Sequence, residues 1–92
     1  MPNSYRLRLE TTNELVEEKL QNVVGIIKGH VEPDRYVIVG NHRDSLVYGA
    51  VDPSAGTAVM VHIAAAISET MRAFGWRPRR TLILVSFSGN VL

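Results

Sequence analysis

Apolar and polar residues follow two different periods along this 92-residue chain. Within residues 5–9, tyrosine and leucine alternate with arginine, which is the two-residue period of a half-buried β-strand. Three further runs, at residues 23–27, 36–39 and 81–87, are mostly apolar and rich in β-branched side chains. A short apolar run such as 36–39 is typical of an interior strand that is covered on both faces. The pattern therefore predicts four strands.

The period becomes helical between the last two of these runs. From Ser54 to Phe74, apolar residues recur every three or four positions, so we predict one long helix. Ser54 is a candidate N-cap residue, Gly75 suits the position after the helix, and Pro78 cannot continue it. The apolar stripe that we expect to face the core consists of Val59, Ile63, Ile67 and Met71.

The order of these elements predicts the fold class. A helix that joins two apolar strands forms a βαβ crossover, and such strands are parallel neighbours with a right-handed connection. Residues 32–34 (Glu-Pro-Asp) have the composition of a turn, so we expect the strand at 36–39 to follow a turn. The prediction is an α/β fold with one domain over residues 1–92, a mixed sheet and a long crossover helix.

The loop from Asn41 to Pro53 carries the candidate chemistry. It follows a predicted strand at its carboxyl end, where ligands bind in parallel sheets, and it contains His42, Asp44 and Asp52. Imidazole nitrogen and carboxylate oxygen are ligands of zinc, and Asp44 is placed to accept the second imidazole N–H. The alternative is a solvated His42, with Asp44 in a turn and Asp52 capping the helix. Two ligands are also fewer than the three that a catalytic zinc usually takes from protein.

Composition narrows the possible classes of function. The chain has no cysteine, so any metal would be held by histidine and carboxylate side chains. Its formal net charge of +1 argues against nucleic-acid binding, although three arginines lie within residues 77–80. No signal peptide and no apolar span of roughly 20 residues is visible. We interpret His62 as a helix histidine and His30 as a solvated one.

Five strings of the sequence are similar to one known family. They are residues 22–29 (NVVGIIKG), 31–40 (VEPDRYVIVG), 42–45 (HRDS), 49–53 (GAVDP) and 75–81 (GWRPRRT). On these strings the chain resembles, over nearly its whole length, the peptidase domain of the glutamate carboxypeptidase II family, which includes the N-acetylated-alpha-linked acidic dipeptidases. The strings at 42–45 and 75–80 are the most specific to this group.

The resemblance implies an aminopeptidase-like (phosphorylase/hydrolase-type) fold and a zinc-dependent carboxypeptidase that hydrolyses peptides with two zinc ions. By position in the motif, His42 is implied as a ligand of one zinc, Asp52 as the carboxylate that bridges both, and Asp44 as the residue that orients His42. Members are typically homodimers and type II plasma-membrane proteins with an extracellular peptidase domain. The transferrin receptor shares the fold, lacks the zinc-binding residues and acts as a binding module, which is the alternative function.

The end of the sequence departs from the family pattern. After the strand that ends at Phe87, the family continues with an acidic pair that supplies the general base and a zinc ligand, whereas this sequence reads Ser88-Gly89-Asn90-Val91-Leu92. We therefore expect residues 1–92 to be the N-terminal portion of a zinc peptidase domain that holds only the first ligands. Such a portion is expected to be inactive by itself and to need further segments for stable folding.

Overall fold

One long helix and three strands make up the regular secondary structure of the described residues. The computed structural model describes residues 3–89, so the last three residues of the segment 88–92 that departs from the family pattern lie outside the described residues. The elements in chain order are β1 (Val23–Ile27), β2 (Glu32–His42), α1 (Ser54–Phe74) and β3 (Arg80–Phe87). The helix has the predicted bounds, and β1 and β3 agree with the predicted runs to within one residue.

The strands form a mixed sheet in the order β1-β3-β2. β3 is central, parallel to β2 and antiparallel to β1. Leu84 of β3 lies opposite Val39 of β2 and opposite Gly25 of β1, so the three residues share one face of the sheet. The parallel pairing of the strands on either side of α1 is confirmed. The molecule is thus a small mixed α/β structure.

The start of β2 corrects the turn that was predicted at residues 32–34. Glu32 pairs with Arg80 and Tyr36 pairs with Thr81, so the residues between Glu32 and Tyr36 form a bulge inside a longer strand. Thr81, only 3% exposed, fixes this region because its hydroxyl accepts the N–H of Gly29 at 3.0 Å and donates to the carbonyl of Pro33 at 2.7 Å. The polar residues 32–34, which predicted a turn, therefore lie in and beside the bulge of β2.

The two ends of α1 are held in different ways. Ser54 is not an N-cap residue as predicted but the first residue of the helix. Loop carbonyls take the place of a side-chain cap, because the N–H groups of Ser54 and Ala55 donate to the carbonyls of Gly49 and Val51 at 3.2 and 3.0 Å. At the other end Gly75 adopts the left-handed conformation (φ 66°) that ends many helices, as predicted.

The buried face of α1 differs from the predicted stripe. Met60 is buried, and Ala64, Ile67 and Met71 are half-buried, whereas Val59 and Ile63 are exposed. The predicted row takes every fourth residue, and such a row turns by about 40° per step around a helix with 3.6 residues per turn. Only its last two members, Ile67 and Met71, therefore lie on the less exposed face of the helix.

Residues 4–22 contain neither helix nor strand, so the strand predicted at 5–9 is wrong. Alternation stabilises a strand only when its backbone groups pair with a neighbouring strand, and in the described chain no strand pairs with residues 5–9. This extended segment contributes to dimensions of 72 × 32 × 18 Å and a radius of gyration of 20.8 Å. A compact chain of this length would have a radius of about 12 Å.

No helix among residues 3–89 combines the length and apolar character needed to cross a membrane.

Candidate functional site

The end of β2 and the start of α1 bring the three candidate residues together. His42 is the last residue of β2, and Asp52 lies two residues before α1 begins. The His42 ring lies between two acceptors: its Nδ1 is 2.9 Å from the carbonyl oxygen of Asp44, and its Nε2 is 2.9 Å from Oδ1 of Asp52. The carboxylate of Asp44 is also near, with Oδ1 3.4 Å from Nδ1. The structure thus places a histidine between two aspartates.

The structure shows how each of these three side chains is placed. The His42 side chain is only 24% exposed and is held on both sides, so it is not a solvated loop histidine. Asp52 directs its carboxylate to His42, while backbone carbonyls satisfy the first helical amides, so Asp52 does not act as a helix cap. Asp44 contacts Nδ1 of the ring through both its backbone carbonyl and its carboxylate, and the carbonyl makes the shorter contact.

The partners of His42 favour the charged form of its ring. A carbonyl oxygen and a carboxylate oxygen can only accept hydrogen bonds, so both ring nitrogens carry a proton when both contacts are made. Partial burial lowers the pKa of His42, but the carbonyl of Asp44 and the carboxylates of Asp52 and Asp44 outweigh it. The net result is a pKa raised above the ordinary value of 6.5.

We expect the metal-free chain to show this shift in an NMR titration of the His42 ring protons. Because the folded-state pKa exceeds the unfolded value, the stabilisation from the charged ring is fully present below pH 6.5 and is lost as the pH rises through the folded pKa. The Asp52→Asn variant, which replaces the carboxylate by a neutral amide, should titrate at a lower pH than the wild type. An unchanged titration in this variant would contradict the role of Asp52.

A cavity of about 320 Å³ opens beside the His42–Asp52 pair. Its polar side is formed by these two side chains and Ser45, and its apolar side by Leu46, Val47 and Ala50. The His42 and Asp52 side chains are therefore accessible from an open cavity.

The donor set fits one part of a zinc site. Imidazole nitrogen and carboxylate oxygen both bind zinc, and the contact of Nδ1 with Asp44 leaves Nε2 directed at Asp52. The 2.9 Å separation is shorter than the roughly 3.3 Å between two ligands of a tetrahedral zinc, and the 88% exposed Asp52 side chain has room to adjust. Within residues 3–89, no group of three or more potential metal ligands is present. The pair by itself therefore offers fewer ligands than the three that a catalytic zinc usually takes from protein.

The other histidines lie away from this site. His62 is exposed in the middle of α1, and Nδ1 of His30 is 3.0 Å from the carbonyl oxygen of Pro78, near the start of β3. His42 pairs with Phe87 at the opposite end of the same strand. The structure therefore brings one of the three histidines to the aspartates.

Two site residues were missed by the sequence analysis, Asn41 and Thr57. The side-chain amide of Asn41 lies 2.9 Å from the hydroxyl of Thr57, and both contact the carbonyl oxygen of His42. The signal in the sequence that could have identified Asn41 is its position directly before the histidine at the end of a strand. Its partner lies 16 residues later in a helix whose orientation the pattern did not define.

Sequence comparison identifies the family. The model for Peptidase family M28 matches residues 22–90, which include β1, β2, α1, β3 and the three candidate residues. The chain belongs to peptidase family M28. Its membership agrees with the resemblance to the glutamate carboxypeptidases that the strings of the sequence indicated.

Several known proteins are similar to almost the entire chain. The probable glutamate carboxypeptidase LAMP1 of Arabidopsis thaliana is 51% identical over 89 residues, which are 97% of this chain and 13% of that protein. Aminopeptidase NAALADL1 of Rattus norvegicus is 49% identical over 89 residues, with 97% and 12% covered. Transferrin receptor protein 1 of Gallus gallus is 38% identical over 84 residues, with 91% and 11% covered. The chain spans little more than a tenth of the length of these relatives.

Proposed function

We propose that this chain supplies the first ligands of the metal centre of a zinc-dependent exopeptidase of the glutamate carboxypeptidase type, within an aminopeptidase-like fold. The observation that carries the proposal is the His42 ring, held by Asp44 on one side and directed at the Asp52 carboxylate on the other. Two relatives named for carboxypeptidase and aminopeptidase activity, both exopeptidase activities, support the reaction class.

Each of the three residues has a distinct role in this proposal. His42 would hold zinc through its imidazole, and Asp52 would hold it through its carboxylate. Asp44 orients the ring by accepting the Nδ1–H, which also raises the basicity of Nε2. When bound, zinc supplies Lewis acidity that polarises the carbonyl of a scissile peptide bond and lowers the pKa of water. The adjacent cavity gives a peptide substrate access to this position.

Zinc titration of the ¹⁵N-labelled chain tests the proposal. We expect zinc to shift the ring signals of His42 and the backbone signals of the loop at 43–53, with weak affinity because two ligands are fewer than a full set. His42→Gln should abolish these changes. The matched control is His62→Gln, which removes an exposed histidine from the middle of α1 and should leave the response intact.

The outcome also separates the proposal from the receptor-like alternative. A binding module related to the transferrin receptor needs no metal at His42, so the wild-type chain and the two glutamine variants would then respond to zinc in the same way. Equal responses would overturn the proposal. A response lost in His42→Gln alone would support it.

A further inference from the structure

Asn41 lies between the two segments that carry the candidate ligands. It is the residue before His42 in β2, and its side chain points toward the start of α1. Its Nδ2 lies 2.7 Å from the carbonyl oxygen of His42, 3.2 Å from that of Pro53 and 2.9 Å from the hydroxyl of Thr57. Because carbonyl oxygens only accept, the NH₂ group must face them. One amide therefore links the backbone of His42 to the residue after Asp52.

The surrounding residues leave this amide little freedom. Thr57 places its hydroxyl 3.4 Å from the same His42 carbonyl, which closes the network on a second side. Gly56, in the first turn of α1, leaves space for the amide oxygen: a Cβ at this position would lie 2.4 Å from Oδ1 and 3.0 Å from Cγ of Asn41. A contact of 2.4 Å is impossible without displacement of the amide. Glycine at position 56 thus leaves the space that the side-chain amide of Asn41 occupies.

We propose that Asn41 is a positioning residue, which holds the Asp52 segment beside His42, where the two side chains are able to share a cation. Asp52 is exposed, and its carboxylate contacts His42, so its own side chain has few packing contacts to fix it. The bond from Asn41 to the carbonyl of Pro53 fixes the neighbouring backbone instead. The inference rests on the proposed function for the identity of the cation, but the link between the two segments stands on the metal-free geometry.

Two variants remove this link by different means. Asn41→Leu keeps the approximate shape of the side chain and removes its donors. Gly56→Ala leaves asparagine in place and displaces its amide by the added Cβ. Alanine is also a better helix former than glycine, so the helix itself gains intrinsic stability in this variant. A loss of metal binding in Gly56→Ala would therefore not be explained by a weaker helix.

Cobalt(II) is the probe, because its visible spectrum reports ligand number and geometry. We expect both variants to bind cobalt about 10-fold or more weakly than the wild type, in line with the effect of removing residues that orient metal ligands. Thr81→Val is the control: it removes buried hydrogen bonds at the far end of β3 and should lower the thermal stability without changing the cobalt spectrum or affinity.

A metal-free measurement keeps the inference separate from the proposed function. At fixed pH, the ¹⁵N signals of the His42 ring report its hydrogen bond to Asp52. Both variants should shift Nε2, whereas Thr81→Val should not. Wild-type cobalt affinity together with unchanged ring signals in the two variants would overturn the positioning role. If the wild type binds no cobalt, the proposed function fails, and the ring signals alone decide the role of Asn41.

Discussion

Replacing Met60 by alanine should lower the free energy of unfolding of this chain by about 2–3 kcal/mol. Met60 is buried in α1 with 9% of its surface exposed, and it lies with Ala64 and Leu84 where the helix crosses the sheet. Truncation of a buried methionine removes its transfer free energy and leaves a cavity, at a cost of roughly 2–5 kcal/mol. The lower part of this range applies because an open groove borders the site. Urea unfolding followed by helical circular dichroism measures the change.

Val59→Ala is the matched control for this prediction. Val59 precedes Met60 in the same helix but is 58% exposed. Its truncation should change the free energy of unfolding by no more than about 0.5 kcal/mol, as is usual for surface positions. If the two variants lost equal stability, or if Val59→Ala lost more, the face of α1 described above would be wrong and the stripe predicted from the sequence would be correct.

Gly29→Ala should destabilise the sheet by about 1–3 kcal/mol. Gly29 is buried beside the start of β3, and an added Cβ would lie 2.6 Å from the carbonyl carbon of Arg80 and 2.7 Å from the amide nitrogen of Thr81. These are backbone atoms, so a change of rotamer does not relieve the clash. The displacement would also stretch the hydrogen bond from the N–H of Gly29 to the Thr81 hydroxyl. Thermal unfolding should show a melting temperature several degrees lower.

Gly25→Ala provides the comparison, because it makes the same chemical change in β1. A Cβ at this position would lie 3.9 Å from the nearest atom, the Cβ of Leu84, which is an ordinary contact. Its melting temperature should therefore stay close to that of the wild type or rise, since alanine restricts the unfolded chain more than glycine does. Similar losses in the two alanine variants would show that the loss of a glycine in general, rather than the close approach at Gly29, determines the effect.

Much of the fold could be predicted from the sequence because local patterns dictate it. The helix has a three- to four-residue period and a glycine at its end, and β3 is a continuous apolar run, so their bounds follow from the residues themselves. The hydrophobic pattern gave wrong predictions where the structure depends on contacts with another segment of the chain. Residues 5–9 alternate as a strand does but pair with no strand in the described chain, and the helical period alone did not give the face of α1 that is buried.

The sequence indicated which loop holds the candidate site and which residue types it contains, but not how their atoms contact one another. His42, Asp44 and Asp52 were assigned to one place because a strand end and a helix start must adjoin in a βαβ unit. That the Asp44 carbonyl is the closer partner of the ring follows from the path of the loop, which no residue type specifies. Asn41 was missed because its role depends on Gly56 and Thr57, whose side of the helix was not predicted.

The order of the strands in the sheet affects how fast the chain folds. The pairs Val23–Ser86 and His42–Phe87 join residues 63 and 45 positions apart, so no strand of this sheet meets its neighbour through a short turn. Closing such long loops costs chain entropy before any contact compensates for it, and topologies of this kind fold slowly. His42 and Asp52 are only ten positions apart, and loops of that length close in about 10–100 ns. His42 and Asp52 are thus able to meet early in folding. The sheet that supports them forms only when residues far apart in the sequence pair.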